Sequence, residues 1–466
     1  MRVVTLIGAV AFLAACRDGP QGIAPPPPVA PVIASAAVTL GPFNALSAVV
    51  SVHTWDADSV VVWYRLDDTT VVGDSATPAV VTSGDFSVIP VLGLLPGRRY
   101  LLGAIAYGPG GLAEGEPLTV TTDTLPSDLP RYTAGGLDPS PGYVVFAAGR
   151  YGLVIDNTGR VVWYRRFPIG PGLNFQAQAT GRYTVRPLTP EPGDIEPWLE
   201  IDVLGAITRT FGCANGLQPR FHDLIAEMDG AYWILCDETR TMDLTALGGV
   251  ANAQVLGTVV QHMSAAGDLL FQWSPFDHFA LTDLDSASRA GPTVNWTHGN
   301  ALDLDADGNL VVSFRSLSEI TKIDTRSGAV LWRMGGLRNQ FAFETDGLPA
   351  FVSQHGLRLT GPGRLVLLDN LGNATGTRGE RYAYDEGAHQ ARQIGAYESS
   401  PAVTAQLGGT TQALPGGRVL VAYGNGGRVE EYNASGQVVW RIEGNPGYIF
   451  RAQRIRSLYQ PGLEWR

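Results

Sequence analysis

Three of the seven histidines in this 466-residue chain lie in similar local sequence contexts. They are His222, His298 and His355, and each is followed shortly by a turn and then by an apolar strand. An imidazole titrates near neutral pH, so it can act as a nucleophile, a general acid or base, or a metal ligand. Because all three occupy one position of a repeating pattern, we take them as one candidate site; the alternative is that each histidine caps a separate element.

An arginine and an asparagine accompany the second histidine. Arg315 lies on the strand that follows His298, and its planar fork of donors suits the oxygens of a tetrahedral anion. Asn300 lies two residues after His298 and therefore on the same face of a strand. The alternative for Arg315 is a solvated surface side chain.

A repeated hairpin from about residue 131 onward predicts the scaffold for these side chains. Its pattern is an apolar strand, an Asp- or Asn-containing turn with glycine, and a second apolar strand. The turn glycines are Gly159, Gly205, Gly267, Gly328, Gly387 and Gly436. Strand repeats of this length predict a six-bladed β-propeller over 131–466, with Trp163, Trp332 and Trp440 packed between blades. If the histidines begin the innermost strands, all three point at the central axis on one face.

The region before the repeats predicts a β-sandwich. Short alternating strands over 34–125 and the Leu95-to-Tyr100 turn segment resemble a fibronectin type III domain. The predicted fold class is therefore all-β, a six-bladed propeller preceded by a fibronectin type III-like sandwich.

The N-terminal sequence predicts export. Residues 1–15 read as a signal peptide, and the Leu-Ala-Ala-Cys pattern ending at Cys16 resembles a bacterial lipobox. Residues 16–33 then form a proline-rich spacer behind a lipidated Cys16, which would anchor the protein at the periplasmic or outer-membrane surface. Cys213 and Cys236 could pair as a disulfide in such a compartment; the alternative is two buried thiols.

Composition and motifs exclude several classes. The formal net charge is -11, which disfavours a nucleic-acid partner. The chain has a single lysine, Lys322, and no phosphate-binding P-loop, dinucleotide fingerprint or zinc-protease motif. We expect no cofactor and no metal, since two cysteines without a histidine at ligand spacing make a poor zinc site.

The segments around His298, Arg315, His355 and Asn370, together with the Leu331–Gly336 stretch, resemble the bacterial arylsulfate sulfotransferases. The resemblance implies a six-bladed propeller that moves a sulfuryl group from a phenolic sulfate ester to a phenol without a nucleotide donor. It implies that His355 is the transiently sulfurylated nucleophile. It further implies that His298, Asn300 and Arg315 bind sulfuryl oxygens and that His222 completes the site.

Two other functions fit the same residues. One is a non-catalytic propeller that binds a glycan or a protein on its axial face. The other is a quinoprotein, or a metal-dependent hydrolase or lyase, in which the histidines are ligands.

Overall fold

The computed structural model describes residues 28–68, 73–168, 174–187, 197–347 and 350–463. The predicted signal peptide and Cys16 lie outside these ranges. Almost every element is a strand, which confirms the all-β prediction.

The first nine strands form two sheets. They are β1 (Val32–Leu40), β2 (Ser47–Trp55), β3 (Ser59–Leu66), β4 (Ser75–Ala76), β5 (Val80–Val81), β6 (Phe86–Leu92), β7 (Arg99–Gly108), β8 (Gly111–Glu114) and β9 (Leu118–Thr121). One sheet has the order β1-β2-β6, and the other has the order β4-β3-β7-β8, with β5 on β3 and β9 on β7. Val50, Val62, Ile89 and Leu102 fill a shared core between them.

A tyrosine stabilises the turn between the two sheets of this sandwich. The Tyr100 hydroxyl accepts a hydrogen bond from the Leu95 backbone N–H at 2.8 Å, as in the tyrosine corner of many β-sandwiches. The fibronectin likeness and the predicted domain boundaries stay predictions; β1 begins at Val32, two residues before the predicted start.

The remaining strands follow from residue 134. They are β10 (Ala134–Gly135), β11 (Tyr143–Ala148), β12 (Tyr151–Ile155), β13 (Val161–Arg166), β14 (Phe175–Ala177), β15 (Tyr183–Val185), β16 (Trp198–Ile201), β17 (Ile207–Phe211), β18 (Gln218–Ala226), β19 (Tyr232–Met242), β20 (Ala253–Met263), β21 (Leu269–Trp273), β22 (Thr293–Asn295), β23 (Gly299–Leu304), β24 (Leu310–Phe314), β25 (Glu319–Ile323), β26 (Val330–Gly335), β27 (Ala342–Glu344), β28 (His355–Gly361), β29 (Arg364–Asp369), β30 (Arg378–Asp385), β31 (Gln390–Glu398), β32 (Thr410–Ala413), β33 (Val419–Ala422), β34 (Val429–Tyr432), β35 (Val438–Ile442) and β36 (Ala452–Ile455). The helices are one short α-helix, α1 (Pro275–His278), and 3-10 turns at Thr245–Leu247, Leu281–Asp283, Pro415–Gly417 and Gly424–Gly426.

These strands make six sheets, each with at least four strands. Four sheets use strands that are consecutive or nearly so, namely β14–β17, β18–β22, β23–β26 and β27–β31. The other two join the ends of the chain: the C-terminal β36 pairs with β11, and the early β10 pairs with β35. This closure, strand order and repeat are the architecture of a β-propeller.

The innermost strands β14, β18, β23, β28, β32 and β36 form a ring, and hydrogen bonds join neighbours at five of its six junctions. Each bond joins a side chain of one strand or its flank to the backbone of the next. The side chains of Asn174, Asn300 and Thr410 donate to the carbonyls of His222, Gln354 and Ala452. The side chains of Asp223 and Gln453 accept from the backbone N–H groups of Leu302 and Ala177. Between β28 and β32 the backbones themselves come close, since a Cβ on Gly356 would lie 2.8 Å from Thr410. The ring therefore brings residues far apart in sequence around one axis.

The repeated tryptophans pack between sheets, as predicted. Trp163 lies against Tyr183 of the next sheet with ring centroids 4.8 Å apart, and Trp332 lies against Tyr384 in the same way at 5.7 Å. Trp440 donates its indole N–H to the backbone oxygen of Asn157, within the hairpin turn of the neighbouring sheet. Large apolar rings supply most of the burial at these contacts.

Lys322, the single lysine, joins two neighbouring sheets. Its side chain is 2% exposed, and its Nζ lies 2.5 Å from Asp305 of its own sheet and 2.8 Å from Glu386 of the next sheet. Burial opposes the ammonium charge, but the two carboxylates raise the pKa of Lys322 above its ordinary value.

We expect Lys322→Met to lower the free energy of unfolding by about 3 kcal/mol, because it leaves the carboxylate of Asp305, which is 11% exposed, without its buried partner. Urea denaturation measures the change. The exposed Arg326→Met is the control and should shift stability by less than about 0.5 kcal/mol. Equal stability of both variants would contradict the assignment of Lys322 as a link between sheets.

Candidate active site

The structure brings the three predicted histidines together on three successive innermost strands, two at the strand starts and His222 in mid-strand. His222 lies in β18, His298 directly precedes β23, and His355 is the first residue of β28. The Nε2 atoms of His222 and His298 are 3.1 Å apart, and one ring nitrogen from each of the three histidines lies within 4.8 Å of the others. This geometry excludes the alternative in which each histidine caps a separate element.

Two glycines let the strands approach closely enough. His298 has a φ of 49°, in the left-handed region, and a Cβ on the following Gly299 would lie 2.7 Å from Thr258. Gly356, which follows His355, has a φ of 63° and faces Thr410 at similarly short range. The His-Gly pairs are therefore required locally, because any larger second residue would clash and strain the backbone.

His222 is oriented by an arginine. The Arg220 Nε donates to His222 Nδ1 at 3.0 Å, and Arg220 is in turn paired with Asp237 of β19. Only 3% of the His222 side chain is exposed. Burial, together with the positive charge of Arg220, lowers the pKa of His222 well below its ordinary value, so this imidazole is neutral.

His355 is oriented by an asparagine. Its Nδ1 lies 2.8 Å from Oδ1 of Asn370, which follows the adjacent strand β29. Burial lowers the pKa of His355 to about 4. The hydrogen bond to Asn370 acts to raise this pKa, and the positive charge of Arg315 lowers it further. A neutral imidazole is the form that can attack an electrophile.

Arg315 supplies fixed positive charge beside the histidines. Its backbone N–H donates to the His298 carbonyl at 3.0 Å, and its NH2 group donates to the Gln406 carbonyl at 3.1 Å. Its buried Nε has no hydrogen-bond partner within the described part of the chain. Burial, with Arg220, His355 and Arg315 nearby, lowers the pKa of His298 well below its ordinary value.

An aromatic wall stands over the histidines. Phe450, from the segment before β36, lies edge-on to the rings of His222 and His355, with centroids 5.7 and 6.4 Å apart. Phe221 stacks on His222 at 4.1 Å and contacts Phe450 at 6.0 Å. The site therefore combines anion-binding donors with an apolar aromatic surface.

Below the histidines, a buried ionic layer spans the ring. Asp223 is fully buried. It accepts hydrogen bonds from both terminal nitrogens of Arg358 and from one terminal nitrogen of Arg451. Burial would raise the pKa of Asp223, but the two guanidinium groups hold it below its ordinary value. A cavity of about 980 Å³ lies among the later residues of the inner strands, lined by Arg358 and Arg451 as well as Asp303 and not by the histidines.

Asn300 lies at the site but bonds to the scaffold. Its Nδ2 donates to the Gln354 carbonyl at 2.6 Å, directly before the nucleophile candidate His355. Its Oδ1 is buried without a partner within the described ranges. The structure thus places Asn300 where it holds two inner strands together, and its predicted contact with substrate stays a prediction.

The three histidines are the one group within the described residues whose ring nitrogens could converge on a metal ion. The surroundings fit a metal poorly. Metal-bound histidines normally donate their second N–H to an acceptor, whereas His222 Nδ1 accepts from the donor Arg220. Binding a cation through Nε2 would leave His222 as an imidazolate, and Arg220 and Arg315 would repel the ion.

Sequence reasoning did not single out four residues that shape this site. They are Arg220, Asn295, Asn370 and Phe450. Asn370 lies in one of the segments that resemble the sulfotransferases, and Arg220 lies two residues before His222. The sequence could therefore have indicated both residues as neighbours of the site. Phe450 comes from a segment without a repeat pattern.

The two remaining cysteines form a disulfide. The sulfurs of Cys213 and Cys236 are bonded, with their Cα atoms 6.2 Å apart, which answers the question the sequence left open. Within the described ranges, no helix is long and apolar enough to cross a membrane.

Comparison with solved structures finds remote similarity. A protein of unknown function from Bacteroides caccae is 12% identical, with a TM-score of 0.44, covering 68% of this chain and 100% of that chain. Virginiamycin B lyase from Staphylococcus aureus is 11% identical, with a TM-score of 0.37, covering 72% of this chain and 89% of that chain. No curated protein matches the sequence.

The family comparison is more informative. The model of the arylsulfotransferase (ASST) family matches residues 219–445, a range that begins just before His222 and contains His298, Arg315 and His355. The matched range, a little under half of the chain, holds the residues gathered at this site, and this part of the chain is similar to the arylsulfotransferase family.

Proposed function

We propose that this protein transfers a sulfuryl group from a phenolic sulfate ester to a phenol through a sulfohistidine on His355, without a nucleotide sulfate donor. The observation that carries the proposal is the convergence of three neutral imidazoles beside Arg315. The neutral ring of His355 supplies a nucleophilic lone pair, and the guanidinium supplies positive charge for an anion.

The transfer proceeds in two balanced steps. The lone pair of His355 Nε2 attacks sulfur, the bond between sulfur and the aryl oxygen breaks, and its electron pair leaves with the phenolate. The oxygen of the acceptor phenol then attacks the same sulfur, and the electrons of the nitrogen–sulfur bond return to His355. The acceptor phenol releases its proton to solvent as it attacks, and the departed phenolate takes up a proton from solvent, so protons balance and the enzyme is regenerated.

Positive charge stabilises the transferring group. Sulfuryl transfer resembles phosphoryl transfer, in which a loose transition state spreads charge over three equatorial oxygens. The guanidinium of Arg315 lies close enough to His298 and His355 for its charge to lower the pKa of both, and the same charge would act on a sulfuryl group held there. Losing one preorganised donor of this kind typically costs about 3 kcal/mol of barrier.

The aromatic wall fits an aryl substrate. Phe450 packs edge-on against both His222 and His355 and is itself 3% exposed. It therefore lines the histidines with apolar surface, which suits an aryl group. An aromatic contact of this kind contributes about 1 kcal/mol beyond buried area.

We also propose that the protein is exported and anchored by a lipidated Cys16. The disulfide between Cys213 and Cys236 supports this, because such bonds persist in oxidising compartments. The partners are then the small-molecule donor and acceptor and the membrane reached by the lipid.

We expect His355→Ala to abolish transfer from 4-nitrophenyl sulfate to phenol, because no other group replaces the attacking nitrogen. Quenched wild-type enzyme incubated with donor alone should carry one SO₃ on His355, found by mass spectrometry. His278→Ala, an exposed histidine outside the site, is the control and should keep full activity. Transfer by the His355 variant would remove His355 from the nucleophile role, and a folded wild type that transfers nothing but binds a glycan would favour the non-catalytic alternative.

The pH profile should reflect the buried nucleophile. Because burial lowers the pKa of His355 to about 4, the imidazole is neutral and reactive above that pH and is lost as a nucleophile below it. We expect kcat/KM for 4-nitrophenyl sulfate at saturating phenol to stay level down to about pH 5 and to fall tenfold per unit below about pH 4. An acid limb centred near pH 6.5, the ordinary value for histidine, would contradict this expectation.

A further inference from the structure

We propose that Asn370 and Arg220 fix opposite tautomers on two histidines, so that His355 presents a bare Nε2 to the site while His222 presents an Nε2–H. The structure thereby selects which of three clustered imidazoles is the nucleophile. The proposal rests on the proposed sulfuryl transfer for its kinetic consequences, but the tautomers themselves can be observed without substrate.

Asn370 can face His355 only through its oxygen. Its Nδ2 donates to two backbone carbonyls, Ala405 at 2.8 Å and Gly408 at 3.0 Å. Reversing the amide would set an oxygen against both carbonyls, so the Nδ2 must stay on that side. Oδ1 then lies 2.8 Å from His355 Nδ1, and this contact is a hydrogen bond only if Nδ1 carries the proton.

The lone pair of His355 is therefore on Nε2, the ring nitrogen that Asn370 does not hold. Asn370 acts as a positioning residue, since it touches the nucleophile and not the substrate. It has no charge of its own, so it fixes the proton without converting the ring to an imidazolium.

Arg220 imposes the reverse arrangement on His222. A guanidinium has only donors, so the 3.0 Å contact from Arg220 Nε requires a lone pair on His222 Nδ1. The proton of the neutral ring is then on Nε2. The ion pair with Asp237 holds Arg220 in place.

The tautomer of His298 follows from that of His222. His222 Nε2–H points at His298 Nε2, 3.1 Å away, so His298 accepts there and carries its own proton on Nδ1. The Asn295 amide nitrogen Nδ2 is placed 2.6 Å from that Nδ1, and two donors cannot bond to each other, so this assignment requires the amide of Asn295 to flip and present its oxygen. His222 has no inward lone pair, and the inward lone pair of His298 is engaged, so His355 alone is free to attack sulfur.

Nitrogen NMR on the substrate-free protein tests the tautomers directly. With ¹⁵N-labelled histidine, we expect His355 to show a protonated Nδ1 and a bare Nε2, and His222 to show the opposite pattern at neutral pH. Loss of individual signals in His355→Gln and His222→Gln assigns them. A protonated Nε2 on His355, or a protonated Nδ1 on neutral His222, would overturn the proposal.

Kinetics test the consequence for catalysis. Removing the acceptor with Asn370→Ala frees the His355 proton to move to Nε2, where it blocks attack. We expect kcat to fall roughly 100-fold or more, since losing the group that fixes a catalytic histidine tautomer costs up to about 10⁴ elsewhere. KM for 4-nitrophenyl sulfate should change less than about threefold, because Asn370 does not touch the substrate.

Asn373→Ala is the matched control. Asn373 is a similarly buried amide in the same loop, but it bonds to Glu398 and to no histidine, so its kcat should stay near wild type. An unchanged kcat in folded Asn370→Ala would contradict the proposal; if that variant does not fold, the NMR result decides alone. A wild type inactive toward every aryl sulfate would refute the proposed function and leave the tautomer assignment standing.

Discussion

Closure of the innermost strands into a ring is the constraint on which the site depends. No single sheet holds more than one of the three histidines, so their contact exists only because β18, β23 and β28 are neighbours around the axis. The bonds that set this spacing come from side chains at the site itself: Asn174 reaches the His222 carbonyl and Asn300 reaches the Gln354 carbonyl. Asn300, which the sequence predicts as a substrate ligand, therefore also holds two inner strands together.

Burial and positive charge act on the histidines in the same direction. Each imidazole is removed from water, which disfavours its cationic form, and Arg220, Arg315 and Arg451 add repulsion toward any extra proton. The same field attracts a sulfate ester and stabilises the charge that develops during transfer. The same positive charge thus keeps the nucleophile neutral and attracts the anionic substrate. Next to the site, the carboxylate of Asp223 compensates part of the charge of Arg358 and Arg451.

The repeat pattern was enough to predict the site because it encodes position around the axis. His222, His298 and His355 each precede a turn and an apolar strand at the same phase of the repeat, and equal phase predicted equal height and radius around the axis. The contacts of Asn370 and Phe450 were not predictable in the same way. Asn370 acts through loop carbonyls of Ala405 and Gly408, whose path has no period, and Phe450 enters from the segment that leads to the closing strand. The pairing of Cys213 with Cys236 likewise needed the register of β18 on β19, in which Cys236 lies opposite Pro219.

Residue type alone does not distinguish three histidines of one phase, because each offers the same ring. The distinction arises from what lies behind each ring: an acceptor behind His355 and a donor behind His222. A neutral imidazole has one proton to place, so fixing one nitrogen decides the chemistry of the other. On this view a cluster of equivalent side chains acquires separate roles through neighbours that never contact the substrate, and the amide at position 370 matters to reactivity because it is uncharged. A carboxylate there would raise the pKa of His355 and favour the protonated ring, which is the form without a lone pair to give to sulfur.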